Sequence, residues 1–134
     1  METDLTSSAC TAASDLEASR EVMRLYFSAI QEKDFEKALS FYGDQFFEST
    51  PRVEWGQNLK SISAKLGDLQ KYDLSEWRVR AKTGTGLAGV FIEMHYKVIY
   101  SRYAADEVLT LFKPIGGNEW KILKHQINSP GFIK

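Results

Sequence analysis

The chain is short of almost everything that marks a familiar chemistry. It has one cysteine, Cys10, so no disulfide can form within it. It has two histidines, His95 and His125. With one cysteine in the tail and no close cluster of His, Asp and Glu, they make no ligand set, so no metal is expected and no cofactor is implied. No glycine-rich phosphate loop or Ser-His-Asp order is present. Gly84-Thr85-Gly86 reads as a hairpin turn, because no helix follows it. Charge of one sign is also missing: 17 basic residues face 18 acidic ones, for a net charge of −1. Such a balance sets up no field for nucleic acid or an acidic membrane surface. No apolar run is long enough to span a bilayer. The start, Met1-Glu2-Thr3-Asp4, lacks the basic residues and apolar stretch of a secretory signal. Ser8-Ala9-Cys10 has the form of a lipoprotein cleavage site without the apolar segment that precedes one. A cytoplasmic protein fits these absences, and a periplasmic one fits if the natural start has been trimmed.

What is present fits one domain. A chain of 134 residues with 43% hydrophobic content can bury one real core. Aromatics are plentiful at 13%, which suits a sheet packed under helices. Residues 1–13 are mostly Ser, Thr and Ala and read as a disordered tail, with the domain covering 14–134. Ser14-Asp15-Leu16-Glu17 has the form of a capping box. Met23, Tyr26, Phe27 and Ile30 then give a helical stripe as far as Glu32. Asp34 caps a second helix carrying Phe35, Ala38, Leu39 and Tyr42, and Gly43 ends it. Phe46 and Phe47 lie in a short connection. Thr50-Pro51 opens a third helix with Trp55, Leu59, Ile62 and Leu66, ended by Gly67.

Beyond Gly67 the apolar period changes from near 3.6 to 2. Trp77, Val79 and Ala81 alternate with Glu76, Arg78, Arg80 and Lys82 in a first strand with one wet face. The basic residues of that face read as solvated, balanced by Glu76, Asp106 and Glu107. Val90, Ile92, Met94, Tyr96, Val98 and Tyr100 form the apolar face of a second strand. A third covers about Ala105 to Lys113, and a fourth runs from Trp120 to Ile127. Short turns between them imply antiparallel pairing.

Leu25-Tyr26-Phe27-Ser28-Ala29-Ile30, followed by Lys33-Asp34-Phe35-Glu36-Lys37-Ala38-Leu39, resembles the opening of the nuclear transport factor 2-like superfamily. Phe41-Tyr42-Gly43-Asp44-Gln45-Phe46 looks like its next segment, and Glu119-Trp120-Lys121-Ile122-Leu123 is similar to its last strand. The resemblance covers about residues 15–129 and is closest to small bacterial members without an assigned activity. It implies an α+β cone: three N-terminal helices packed on a curved four-stranded antiparallel sheet, with a pocket between them.

Members with this fold include enzymes and binding domains, so fold alone does not choose a function. The steroid-isomerase branch implies a tyrosine donor at Tyr26, but its base falls on Thr50 and its second acid near Thr110. A threonine hydroxyl is no base near neutral pH, so that chemistry is not expected. A dehydratase would need a histidine and an acid facing each other in the pocket. His95 and His125 both read as lying on the outer sheet face, so no catalytic residue is assigned.

The expected function is a non-enzymatic domain that binds a small apolar ligand or a protein. Tyr26, Tyr42, Glu48, Trp55 and Tyr96 are the pocket candidates. The alternative is a small isomerase, dehydratase or cyclase acting on an apolar ligand there. The outer face reads as an apolar patch of Phe91, Ile99, Leu109, Leu111, Leu123 and Ile127, with Glu93, His95, Lys97 and Lys113 among them. Such a patch points to a homodimer. Trp55 and Trp77 are both expected in the core.

Overall fold

The computed structural model describes residues 5–133. Four α-helices precede four strands: α1 (Leu5–Gln31), α2 (Phe35–Leu39), α3 (Asp44–Ser49), α4 (Arg52–Leu66), β1 (Leu69–Lys82), β2 (Gly89–Tyr100), β3 (Ala104–Pro114) and β4 (Lys121–Asn128). A 3-10 turn at Pro130–Phe132 follows. The strands form one antiparallel sheet in the order β1-β2-β3-β4, so the chain is an α+β fold with helices first and sheet second. No helix among the described residues is long and apolar enough to cross a membrane.

Two helical expectations are corrected. The tail expected over 1–13 divides: residues 1–4 lie outside the described residues, and 5–13 continue α1. Ser14 therefore sits inside a helix rather than at its cap. Ala and Ser tolerate helix well enough to extend it. Residues 44–49, expected as a connection, form α3, with Gly43 as its N-cap. Helix α2 already ends at the Ser40 C-cap. Two other caps stand where expected, while Pro51, expected at the first helical position, is the N-cap of α4. The Asp34 carboxylate accepts from the Lys37 amide, and Gly67 ends α4 at φ 98. A side chain at Gly67 would also collide with Ser101, so this turn needs glycine twice over.

The core lies between α1 and the inner sheet face. Met23, Tyr26 and Phe27 from α1 meet Ile92, Met94, Val98, Leu109, Leu111 and Ile122. Lys113 ties β3 to the first half of α1 through Asp15 at 3.4 Å, with the Trp120 ring beneath its ammonium group.

Strand parity decides which residues reach this core, and two expectations fail on it. In β3 the inward set is Ala105, Glu107, Leu109 and Leu111, leaving Asp106, Val108, Thr110 and Phe112 outside. Leu109 and Leu111 are fully buried, so they belong to the core and not to a dimer surface. In β4, Thr110 pairs with Lys124 but Leu111 pairs with Ile122, which leaves Leu123 as an unpaired bulge residue. A bulge shifts alternation by one position. His125 and Ile127 therefore turn inward, where strict alternation from Ile122 puts them outside.

The outer face is less open than its sequence suggests. Phe91 and Phe112 cover each other at 4.7 Å, with the Arg80 guanidinium over Phe91. Glu93 binds His95 at 2.7 Å and Lys97 binds Asp106 at 2.9 Å, so these charges are matched within the chain. Ile99 stays 40% exposed. The first strand starts at Leu69, before the expected Glu76, because irregular pairing around Gln70 and Ser75 breaks the alternation. Trp77 faces the helix side as expected, opposite Met94. It is nevertheless 44% exposed, because the helices leave that stretch of β1 uncovered.

Candidate functional site

Two places on the inner side of the sheet collect functional side chains. The first is a buried polar chain. The Tyr26 and Tyr42 hydroxyls are 3.1 Å apart, and the Tyr42 hydroxyl is 2.7 Å from His125 Nδ1. His125 Nε2 is 2.7 Å from Glu107 Oε1, and the Tyr100 hydroxyl donates a short bond to Glu107 Oε2. One proton arrangement uses every donor. Tyr26 donates to Tyr42, Tyr42 to Nδ1, Nε2–H to Glu107, and Tyr100 to the other carboxylate oxygen. A protonated imidazole would reverse the chain and leave the Tyr26 proton without an acceptor.

Each member is placed by a local feature. Tyr26 rides the inner stripe of α1. Tyr42 is held where residues 41–43 add to the free edge of β4. There Gly43 N–H donates to Ile122 O at 2.9 Å, and Ile122 N–H donates to Phe41 O at 2.8 Å. A Cβ on Gly43 would crowd Lys121, so the approach favours glycine. Glu107 occupies an inward position of β3, and the Leu123 bulge delivers His125.

The chain is sealed. The His125 side chain is 0% exposed and that of Glu107 is 1% exposed. The exposure His125 retains as a residue lies on its main chain, in an edge strand. Tyr42 packs against Phe46, Phe47 and Trp55, so aromatic rings fill the space beside the imidazole. Trp55 Nε1 is buried and bears on the Tyr42 hydroxyl, yet makes no hydrogen bond of good geometry. Burial holds the Tyr26, Tyr42 and Tyr100 hydroxyls well above their ordinary range, and the Glu107 charge adds to this.

Folded tyrosines that keep their protons while unfolded ones ionise near pH 10 carry a pH signature. Their stabilisation is complete below that value and is lost as pH rises toward the folded values. We expect the urea midpoint to fall between pH 9.5 and 11, ~1.4 kcal/mol per pH unit for each proton held. Tyr26→Phe should make that decline shallower. A midpoint unchanged up to pH 11 contradicts the sealed chain.

The second place is an open cleft of about 1220 Å³ between the first half of α1 and the inner face of β1 and β2. Its floor is Tyr72, Leu74, Trp77 and Tyr96, and its wall is Leu16, Glu17, Arg20, Glu21 and Arg24. Tyr72 stacks on Phe27 at 4.3 Å, and Tyr96 meets Phe27 edge-on at 5.2 Å. Phe27 also touches Tyr26 at 5.4 Å, so one ring separates the cleft from the buried chain. No member of that chain lines the cleft.

Of the expected pocket residues, Tyr26, Tyr42 and Trp55 meet around His125, and Tyr96 lines the cleft instead. Glu48 is exposed on α3 and joins neither place. Glu107, Tyr100 and His125 were not expected here. The signal for Glu107 was present: with Ala105, Leu109 and Leu111 it makes a regular inward set, and an acid on such a face is conspicuous. His125 carried no comparable signal, because the bulge that turns it inward lies in residues with no glycine or proline.

No family model matches the chain, and no curated protein is similar to it. Among solved structures, one titled "Structure of Bdellovibrio bacteriovorus Bd1075" is similar with a TM-score of 0.55 and 16% sequence identity. The match covers 84% of this chain and 39% of that one. At this identity the likeness concerns the fold alone.

Proposed function

We propose that this is a nuclear transport factor 2-like domain that binds a small ligand without catalysing a reaction, with the cleft beside α1 as its binding site. The observation that carries the reading is the contrast between the two places. The buried histidine–carboxylate pair is sealed, while the accessible recess offers an aromatic floor. A half-exposed indole beside the partly covered Tyr72 and Leu74 is a ready platform for a flat or cyclic ligand. Helix-first order, the four-stranded antiparallel sheet and the α1 residues that share the resemblance support the superfamily. A homodimer through the outer face belongs to the same reading, now resting on the exposed Ile99, since Leu109 and Leu111 are core and Phe91 and Phe112 are covered within the chain.

A neutral fluorophore, N-phenyl-1-naphthylamine, tests the cleft. We expect saturable binding to the folded protein, lost on Trp77→Ala. That variant should keep its far-ultraviolet dichroism and cooperative melt, because Trp77 is already half-exposed. Binding unchanged by Trp77→Ala would remove the cleft from the reading.

The His125–Glu107 pair favours a second reading, a proton-transfer enzyme with Tyr42 as its acid. It requires Trp55 and Phe46 to move aside. Probe binding abolished by Tyr42→Phe but not by Trp77→Ala would favour it.

A further inference from the structure

The charges on the cleft wall are not equivalent. Arg24 is held by Glu21 through two hydrogen bonds of 2.6 and 2.9 Å. Asp73, on the β1 side, lies 3.6 Å from Lys71. That leaves Glu17 and Arg20, neither of which has an ion-pair partner among the described residues. Arg20 is exposed and lines the same cleft as Tyr96. The Tyr96 hydroxyl makes no hydrogen bond to another described side chain, although its ring is almost wholly covered. A guanidinium and a phenol thus share one cleft with an aromatic floor. Both are donors, and a guanidinium binds oxyanions through paired N–H groups.

We propose that the cleft selects ring-bearing anions, with the ring on Trp77 and an oxyanion held by Arg20 and the Tyr96 hydroxyl. This rests on the binding reading above and narrows its ligand from apolar to amphiphilic and anionic. The class comprises cyclic or aromatic carboxylates, sulfonates and phosphates. Glu17 opposes the anion from the same wall and is as exposed as Arg20, so water screens both alike. The difference is in contact: Arg20 and Tyr96 offer N–H and O–H donors to an oxyanion, and a carboxylate offers none.

Two probes that differ in one charge separate this inference from the reading beneath it. They are the neutral N-phenyl-1-naphthylamine and 8-anilinonaphthalene-1-sulfonate, titrated into the full chain at low salt. The sulfonate should bind about ten-fold more tightly, the worth of one charge-assisted hydrogen bond. Arg20→Gln should abolish that advantage and leave the neutral probe unchanged. Tyr96→Phe should remove part of it, and Glu17→Gln should leave the sulfonate at least as tightly bound. Equal binding of the two probes, or no effect of Arg20→Gln on the sulfonate, overturns the anion preference while the cleft stands. Loss of sulfonate binding in Glu17→Gln overturns it too. If neither probe binds, the binding reading falls and this inference with it.

Discussion

Replacing His125 by alanine should destabilise the protein by about 3–5 kcal/mol, the cost of stripping one partner from a buried charge. The Glu107 carboxylate is enclosed and accepts one bond from His125 and one from Tyr100. Without the imidazole, one carboxylate oxygen faces Leu109 and aromatic rings with nothing to accept from. The Tyr42 hydroxyl loses its acceptor in the same step. Domains of this size are typically stable by only about 5–15 kcal/mol, so the loss consumes much of the reserve. Removing both ends of the pair behaves differently, because a buried carboxylate is costly mainly when it is left without its donors. The double variant His125→Phe/Glu107→Leu should regain most of what His125→Ala loses. Urea unfolding at pH 7, followed by far-ultraviolet dichroism, measures both. Equal losses in the single and double variants would mean that the chain contributes through packing alone. A single-variant loss under about 1 kcal/mol would mean that Glu107 is hydrated or neutral, against the arrangement described here.

The same pair marks the limit of what the sequence discloses. Elements with strong periodicity were legible: the α1 stripe of Met23, Tyr26, Phe27 and Ile30, the Asp34 cap, the Gly67 stop and the inner face of β2 all stand as read. Irregular positions were not. Gln70, Ser75 and Leu123 each interrupt a ladder, and no glycine or proline announces them. A bulge is a compromise between two strands, so neither strand alone encodes it. Its cost here was the buried site itself, since turning β4 by one residue moves His125 from solvent to the centre of the polar chain. Trp77 shows a second limit. Its parity was correct, yet burial depends on where α1 crosses the sheet, which alternation in β1 does not report. That uncovered end of the strand is what leaves the cleft open.

Parity in β3 yields the other large effect, because Leu109 and Thr110 are neighbours with opposite fates. Leu109 is 0% exposed, opposite Met94 on one side and His125 on the other. A carboxylate there meets the apolar core and the existing Glu107 charge, with no cation at hand. Burying an unpaired ion is prohibitive, so Leu109→Glu should fail to give a cooperative fold at pH 7. Thr110 faces outward between Glu93 and Lys124, which pull a new carboxylate in opposite senses. Thr110→Glu should therefore fold and cost under about 1 kcal/mol. Thermal unfolding of the two proteins side by side reads the difference. A folded Leu109→Glu beside an unfolded Thr110→Glu would reverse the strand and with it the polar chain. The folded Thr110→Glu protein also reports on assembly, since a twofold contact through the outer face would bring two added charges together. Sedimentation at micromolar concentration should then show a wild-type dimer and a Thr110→Glu monomer. A wild-type protein that sediments as a monomer ends the dimer proposal without touching the parity.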